Sequence, residues 1–171
     1  FMNTNESIWT YNTTMNTYVT CKVDTMYNIT DEAIYFNRSM YYHGNKSGYP
    51  VEGTFFPAPP SQEKPYAILF GEPGGLKEGY ELMVYASSNY SCAVMNVTLT
   101  MGGWGGIFWL DLRVTNSSVE TGPTEGCLET YNNLSQQYRL TSQGLYNSSC
   151  QRILEMPPVS DVRLLDLKGT E

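Results

Sequence analysis

The residues of this chain most clearly suited to covalent chemistry are asparagines in the triplet Asn-x-Ser/Thr, the acceptor for N-linked glycans. Ten of its thirteen asparagines open such a triplet. Random neighbours would produce only about two or three, because Ser and Thr make up 31 of the 171 residues. A sequon is used only in the secretory pathway, on a side chain that faces water. We therefore predict a secreted glycoprotein.

Glycans are predicted on eight of these asparagines: Asn5, Asn12, Asn37, Asn45, Asn89, Asn96, Asn116 and Asn133. The other two, Asn28 and Asn147, lie close to a predicted strand end or a cysteine, and we expect these to be the sites that are skipped. Each occupied site also fixes an orientation, because its glycan must project into water.

The four cysteines, Cys21, Cys92, Cys127 and Cys150, are widely spaced and include no CxxC pair. With His43 as the one histidine, the chain has almost no ligands for a metal site, and we expect none. In a secreted chain the four should form two disulfides, for which the sequence allows three connectivities. Each long loop closed in this way would contribute about 3 to 4 kcal/mol.

Composition excludes several other classes of function. The net charge is −7, and the ten Lys and Arg are spread singly, so no basic patch for nucleic acid is present. No apolar run approaches the length of a membrane span, and we expect no membrane insertion. The start, FMNTNESIW, lacks the regions of a signal peptide, as expected of a mature chain. We expect one domain over 1–171, and a monomer.

Runs rich in Tyr, Val, Ile, Phe and Thr recur between turn signals, a pattern typical of short antiparallel strands. Eight candidates are Ile8 to Met15, Tyr18 to Tyr27, Glu32 to Tyr42, Val51 to Phe56, Tyr66 to Gly71, Tyr80 to Ala86, Cys92 to Thr100 and Ile107 to Val114. The separators carry Gly, Pro, Asn or Asp. One amphipathic helix is predicted at about 124–138, started by Pro123 and Thr124, with a tail over 151–171.

Eight sequential strands joined by short turns can close into an up-and-down barrel over about 8–115, whose interior can hold one small ligand. A two-sheet sandwich is the alternative. The immunoglobulin version is disfavoured, because Trp104 and Trp109 both follow Cys92 rather than lying between an early and a late cysteine.

Several motifs in this order resemble the salivary lipocalins of ticks, the family of the histamine-binding proteins. They are Thr20-Cys21 on an early strand, Tyr85 to Cys92, the aromatic strand Ile107-Phe-Trp109, Cys127 opening a helix, and Leu145 to Cys150. The segment Ser7-Ile8-Trp9 lacks the glycine of the Gly-x-Trp motif of most lipocalins. The resemblance implies an eight-stranded lipocalin barrel with nested disulfides, Cys21–Cys150 and Cys92–Cys127. The density of sequons and a scarcity of interior acids most resemble the japanin-type members, host immune modulators that carry a sterol-like lipid.

Side chains alternate across a strand, so one outward residue sets the phase of its neighbours. An outward Asn37 sends inward Ile34, Phe36, Arg38, Met40 and Tyr42. An outward Asn96 sends inward Ala93, Met95, Val97 and Leu99, and places Cys92 outside. An outward Cys21 puts inside or at the rim Tyr18, Thr20, Lys22, Asp24 and Met26.

The last strand is ambiguous from its sequence alone. If Leu128 and Tyr131 of the helix pack on its apolar face, which includes Leu110 and Leu112, then Trp109 points into the cavity. The resulting predicted ligand contacts are Ile34, Phe36, Met40, Tyr42, Met95, Val97, Trp109 and Asp111.

Three functions follow from these expectations. The first is binding of one apolar small molecule, a sterol or lipid, as a ligand rather than a cofactor. The second is scavenging of an amine such as histamine or serotonin, which needs buried carboxylates. Candidate acids for that role are Asp24, Glu52, Glu81 and Asp111, for which the favoured interpretation is a solvated position at the rim or outer face. The third is modulation of a host immune cell or protein through outer loops such as Pro57 to Pro65 or Gly71 to Gly79.

An enzyme is not expected, because the usual pairs of nucleophile and base cannot be assembled from one histidine and no free cysteine. His43 is predicted to be solvated in a hairpin loop. The segment Gly102 to Gly106 is not a phosphate loop, since no Lys and no helix follow, and is predicted to be a turn that places Trp104 at the barrel mouth.

Overall fold

The computed structural model describes residues 1–58, 63–100 and 106–155. Eight long strands come first along the chain: β1 Ile8–Thr13, β2 Val19–Ile29, β3 Ala33–Tyr42, β4 Asn45–Phe56, β5 Ala67–Gly71, β6 Lys77–Ala86, β7 Cys92–Leu99 and β8 Ile107–Thr115. Then follow α1 Glu125–Gln137, the short strand β9 Gln143–Gly144, a 3₁₀ turn at Ser148–Gln151 and a short helix α2 Arg152–Glu155. All eight predicted strands and the predicted helix are confirmed.

The strands close into an antiparallel up-and-down barrel. Each strand from β2 to β8 pairs with its neighbour in sequence, and β1 pairs with both β8 and β2. This closure confirms the barrel and excludes the sandwich. It also leaves none of the eight strands with a fully exposed edge, which is the physical advantage of a closed sheet.

The turn between β3 and β4 is shorter than its sequence suggested. His43 and Gly44 have φ of 48° and 79°, the conformation of a two-residue hairpin turn with positive φ at both positions. Strand β4 therefore begins at Asn45, and the segment that was predicted to be loop up to Pro50 is paired with β3. His43 is exposed in the turn, as predicted.

A β-bulge in β2 overturns part of the predicted inward row. Thr20 pairs with Tyr41 and Val23 with Ser39, so two residues, one of them Cys21 with φ of 54°, lie opposite a single residue of β3. The extra residue reverses the alternation. Lys22 and Asp24 are buried in the barrel as predicted, whereas Tyr18 and Thr20 are exposed. The prediction was wrong for Thr20, whereas Tyr18 lies at the rim, stacked on His43 of the β3–β4 turn.

Helix α1 packs on the outside of the barrel, against β6, β7 and β8. Thr124 caps its first turn, since its side chain accepts a hydrogen bond from the Cys127 backbone N–H. Cys127 is bonded to Cys92, and Cys150 is bonded to Cys21, which confirms the nested pairing. Both disulfides thus attach the C-terminal segment to the barrel wall.

Two apolar clusters result, one on each side of the wall. The inner cluster contains Ile34, Phe36, Met40, Met95 and Trp109. The outer cluster lies between wall and helix, and joins the two disulfides to Trp9, Val23, Val94, Leu110, Leu112, Val114 and Tyr131. Trp109 therefore lies inside the barrel, and Leu110 and Leu112 lie under the helix, as was predicted from packing of the helix on the apolar face of β8.

Within that helix, Leu128 does not pack as expected, because 39% of it stays exposed, whereas Tyr131 is 1% exposed. This difference gives a direct test of the outer cluster. Tyr131→Ala should lower the free energy of unfolding by about 3 to 5 kcal/mol, because it opens a cavity beneath the helix. Leu128→Ala, three residues away on the same helix, should cost less than about 1 kcal/mol. Urea denaturation with the disulfides intact measures both, and equal losses would contradict the assigned packing.

Candidate functional site

An apolar cavity of about 520 Å³ enters the barrel. Its deep wall consists of side chains that point inward from four strands, namely Ile34, Ile68, Met83 and Met95. Phe55, Pro65 and Tyr66 line its outer part, together with Phe1 and Met2. The volume falls within the range of about 300 to 1,000 Å³ that is typical of small-molecule sites.

The cavity lies at one defined end of the barrel. Its wall includes Ile29 before the β2–β3 turn, Phe55 near the end of β4, and Tyr90 in the β6–β7 turn. The mouth is therefore at the end where β2–β3, β4–β5 and β6–β7 connect. Lys64 also lines this mouth and is exposed.

The opposite half of the interior is packed with side chains. Phe36, Met40, Val97 and Trp109 belong to the inner apolar cluster, where none is more than 2% exposed. None of these four is among the residues that line the cavity. Tyr42 is half-buried and packs against the same cluster.

Of the eight predicted ligand contacts, the structure thus brings two, Ile34 and Met95, into the cavity wall. The alternation that predicted these two residues also correctly placed Arg38, Ala93 and Leu99 inside the barrel. Their role in ligand contact stays a prediction. Sequence reasoning missed Ile29, Ile68 and Met83, although strict alternation from Phe70 or from Glu81 would have placed the latter two inside.

A network of six buried charges crosses the middle of the barrel. Arg38 donates to both oxygens of Asp24 at 2.7 Å and to Glu81 Oε1 at 2.8 Å. Arg113 donates to Glu81 Oε2 at 2.6 Å and to Asp111 Oδ2 at 3.2 Å. The sixth member is Lys22, whose Nζ is 2.8 Å from Asp111 Oδ2.

The network is electrically balanced, with three cations and three carboxylates, each at most 5% exposed. Burial alone would raise the pKa of Glu81, but the charges of Arg113 and Arg38 outweigh it and hold that pKa well below its usual value. Burial likewise opposes ionisation of Asp111, and Lys22 and Arg113 keep the pKa of Asp111 below its usual value. All three acids are thus compensated by cations of the chain itself.

This arrangement corrects the prediction that the candidate acids are solvated and that interior acids are scarce. Asp24, Glu81 and Asp111 are interior, and only Glu52 remains half-buried near the surface, paired with Lys77. No sequence feature signals this pairing, because most of the cations that neutralise these acids lie on other strands, with Arg113 beside Asp111 on β8 as the exception. Glu81 alone among the six lines the cavity, at its inner end.

Three buried polar atoms in the described part of the chain have no hydrogen-bond partner: Tyr49 Oη, Trp109 Nε1 and Arg113 Nε. Burial raises the pKa of Tyr49 above its ordinary value, which keeps its hydroxyl neutral. Unsatisfied groups of this kind are rare in folded proteins, and none of these three residues lines the cavity.

The asparagines of all ten sequons, including the two expected to be skipped, lie on the outer surface. Exposed members are Asn5, Asn28, Asn37, Asn45, Asn89, Asn133 and Asn147; Asn12, Asn96 and Asn116 are half-buried. Asn116 Oδ1 accepts hydrogen bonds from Trp9 Nε1 at 2.8 Å and from Gln151 Nε2 at 2.9 Å. A glycan is attached through the amide nitrogen, so these two bonds do not compete with it. Trp104 lies outside the described residues.

The eight-stranded barrel is closed, carries a helix against its wall and has a cavity at one end. These three features identify the fold. It is the lipocalin fold. Solved lipocalin structures superpose on most of the chain: the siderocalin Ex-FABP with a TM-score of 0.63 and 8% identity, covering 84% of this chain and 94% of that one. Japanin from Rhipicephalus appendiculatus, in a structure bound to cholesterol, has a TM-score of 0.55 and 10% sequence identity. The superposition covers 86% of this chain and 96% of japanin. A deswapped triple mutant of bovine odorant-binding protein has a TM-score of 0.54 and 13% sequence identity, over 84% of this chain and 94% of that one.

No protein-family model and no curated protein sequence matches this lipocalin barrel. Among the residues with described positions, no helix is long and apolar enough to cross a membrane. Nor does that part of the chain contain a group of three or more His, Cys, Asp and Glu placed to hold a metal ion.

The buried network predicts a large difference between its own ion pairs and a surface pair. Arg113→Met should lower the free energy of unfolding by about 3 to 5 kcal/mol, because it leaves buried carboxylates without their cation. Lys77→Met removes a partly exposed partner of Glu52 and should cost less than about 1 kcal/mol. Chemical denaturation of both variants checks this, and similar costs would contradict the network.

The same network predicts acid sensitivity. Glu81 and Asp111 have a lower pKa in the folded chain than in the unfolded chain, so their stabilisation is complete above about pH 4 to 5 and is lost as the pH falls below it. The wild type should therefore lose stability steeply between about pH 4 and pH 2. Glu81→Gln should be less stable at pH 7 and should show a shallower decline. Unfolding free energies across this range measure the effect, and parallel curves would refute it.

Proposed function

We propose that this chain is an extracellular carrier that binds one apolar small molecule, a sterol or another lipid, inside its lipocalin barrel. The observation that carries the proposal is the cavity of about 520 Å³ whose deep wall is formed by Ile34, Ile68, Met83 and Met95. Binding against such walls is favourable chiefly because it removes apolar surface of both wall and ligand from water. The cavity therefore favours a ligand that is itself largely apolar.

The polar groups of the cavity are few and lie at its two ends. Glu81 is at the inner end, with one oxygen bonded to Arg38 and the other to Arg113. Glu81 is 0% exposed and both of its oxygens are engaged, so it closes the inner end of the cavity rather than offering a free acceptor. Lys64 and Tyr66 are at the mouth. One hydrophobic molecule with a single polar end fits this distribution.

The finer parts of the proposal draw on the family resemblance. The motifs resemble tick salivary lipocalins, most of all the japanin-type subgroup, and the japanin structure superposed on this chain holds cholesterol. Ten sequons and two disulfides support secretion as a glycoprotein. On this basis we propose that the carrier acts in tick saliva on host immune cells, such as dendritic cells.

The cavity can be tested by blocking it. Met83→Trp should fill the inner wall and reduce uptake of cholesterol or a fatty acid by at least about tenfold. Val84→Trp is the matched control, because Val84 is the next residue of β6, is 40% exposed and does not line the cavity. Protein from a secretory host is delipidated, loaded and measured by equilibrium binding. Mass spectrometry of a lipid extract identifies any native guest.

An empty barrel that takes up neither lipid would overturn the proposed function. Equal loss of binding in both tryptophan variants would locate the ligand somewhere other than this cavity. Immune modulation is tested separately, by adding loaded and delipidated protein to cultured dendritic cells. Absence of any response to either form would remove the cellular part of the proposal and leave the carrier function standing.

The amine-scavenger alternative has less support than the sequence suggested. An ammonium ligand needs a carboxylate that is not already neutralised, yet Asp24, Glu81 and Asp111 are all paired with cations of the chain. Calorimetry with histamine and serotonin should therefore show no tight binding. Tight binding of either amine would reverse this ranking. The third alternative, a protein-binding modulator with an incidental cavity, would be favoured if the tryptophan variants acted on cells like the wild type.

A further inference from the structure

A second, polar groove of about 540 Å³ adjoins the apolar cavity. It is lined mostly by hydroxyl-bearing residues: Thr4, Ser91, Thr115, Ser117 and Ser118. Several of these residues are held in place by hydrogen bonds. The Ser117 backbone N–H donates to Glu6 Oε2 at 2.7 Å, and the Thr115 N–H donates to the Ser91 carbonyl at 2.9 Å. The shape of the groove at this end of the barrel is therefore held by hydrogen bonds between its lining residues.

The cavity and the groove share three wall residues, Phe1, Asn3 and Tyr90. A molecule seated in the cavity therefore has the groove immediately beside its outer end. One space is walled by Ile, Met and Phe, and the other by Ser and Thr. This change of chemistry across a shared wall is the arrangement expected for an amphiphile, whose chain and headgroup need opposite surroundings.

The charge of the groove further limits the kinds of headgroup that it could bind. Glu6 has the one charged side chain among its lining residues, and the side chains of the whole chain sum to a net charge of −7. A carboxylate beside several hydroxyls accepts hydrogen bonds from a polyol and repels a phosphate. Lys64 lines the apolar cavity but not the groove, so no lysine or arginine offsets Glu6 among the groove residues.

From these observations we infer that the ligand of this barrel is a lipid with an uncharged, hydroxyl-rich headgroup. Its apolar chain lies in the cavity and its headgroup, a glycerol or a sugar, lies in the groove beyond Tyr90. This inference rests on the proposed carrier function and adds to it a ligand class. It differs from a plain sterol or fatty acid, neither of which has a polyol to fill the groove.

A matched series of three lipids with one acyl chain tests the inference: the free fatty acid, the monoacylglycerol and the lysophosphatidic acid. The second adds a glycerol to the first, and the third adds a phosphate to the second. The monoacylglycerol should bind about tenfold more tightly than either of the others. Glu6→Gln should narrow the gap between monoacylglycerol and lysophosphatidic acid, because it removes the repulsion of the phosphate.

Ser117→Phe should fill the groove and reduce monoacylglycerol affinity to that of the fatty acid, without affecting the fatty acid. This variant keeps the sequon at Asn116, since position 117 is its middle residue. Thr20→Phe is the matched control, because Thr20 is exposed on β2 and lines neither space. It should bind all three lipids like the wild type.

Equal binding of the three lipids by wild type and by Ser117→Phe would overturn the headgroup assignment while the carrier function stands. Uptake of none of them would overturn the headgroup assignment, and failure to take up cholesterol as well would overturn the carrier function. The same measurements on enzymatically deglycosylated protein separate a further case, because Asn89 itself lines the groove. A preference that appears only after deglycosylation would assign the groove to the Asn89 glycan and would overturn the inference.

Discussion

The balanced network of six buried charges is the constraint on which the rest of this barrel depends. Removing charges from water costs several kcal/mol per ion, so each must find a partner inside. The partners come from β2, β3, β6 and β8, which lie on different sides of the barrel. The network therefore fixes how these strands face one another. With the apolar packing around Trp109, it also closes the interior and leaves a cavity open at one end.

The same network explains why the interior suits an apolar guest even though it contains three acids. Because Lys22, Arg38 and Arg113 neutralise these acids, a ligand at the inner end of the cavity meets a carboxylate that is already satisfied. An ammonium placed there would compete with fixed guanidinium groups. Under the proposed carrier function an uncharged guest is therefore favoured, because it leaves the charge balance of the network undisturbed.

Much of the fold could be predicted from the sequence, because alternation and turn residues are local signals. Asn37 and Asn96 gave the correct inward phase of β3 and β7. The bulge at Cys21 could not be predicted, since a positive φ at a cysteine has no signature in its neighbours. Nor could the ion pairs between strands, whose members lie 14 to 89 residues apart. The position of the cavity depends on which interior half is filled, and similar apolar residues occupy both halves.

The distribution of sequons bears on how a ligand reaches this cavity. Asn28 directly precedes Ile29 of the cavity wall, and Asn89 directly precedes Tyr90, which lines both the cavity and the groove. Asn5 lies between two groove residues, Thr4 and Glu6. Glycans on Asn5 and Asn89, the two of these sites that are predicted to be used, would place mobile, hydrated chains beside the mouth. A small lipid can pass between such chains, whereas a flat protein surface cannot approach closely. Glycans at these sites would therefore favour exchange of a small ligand at the mouth over docking of a protein partner.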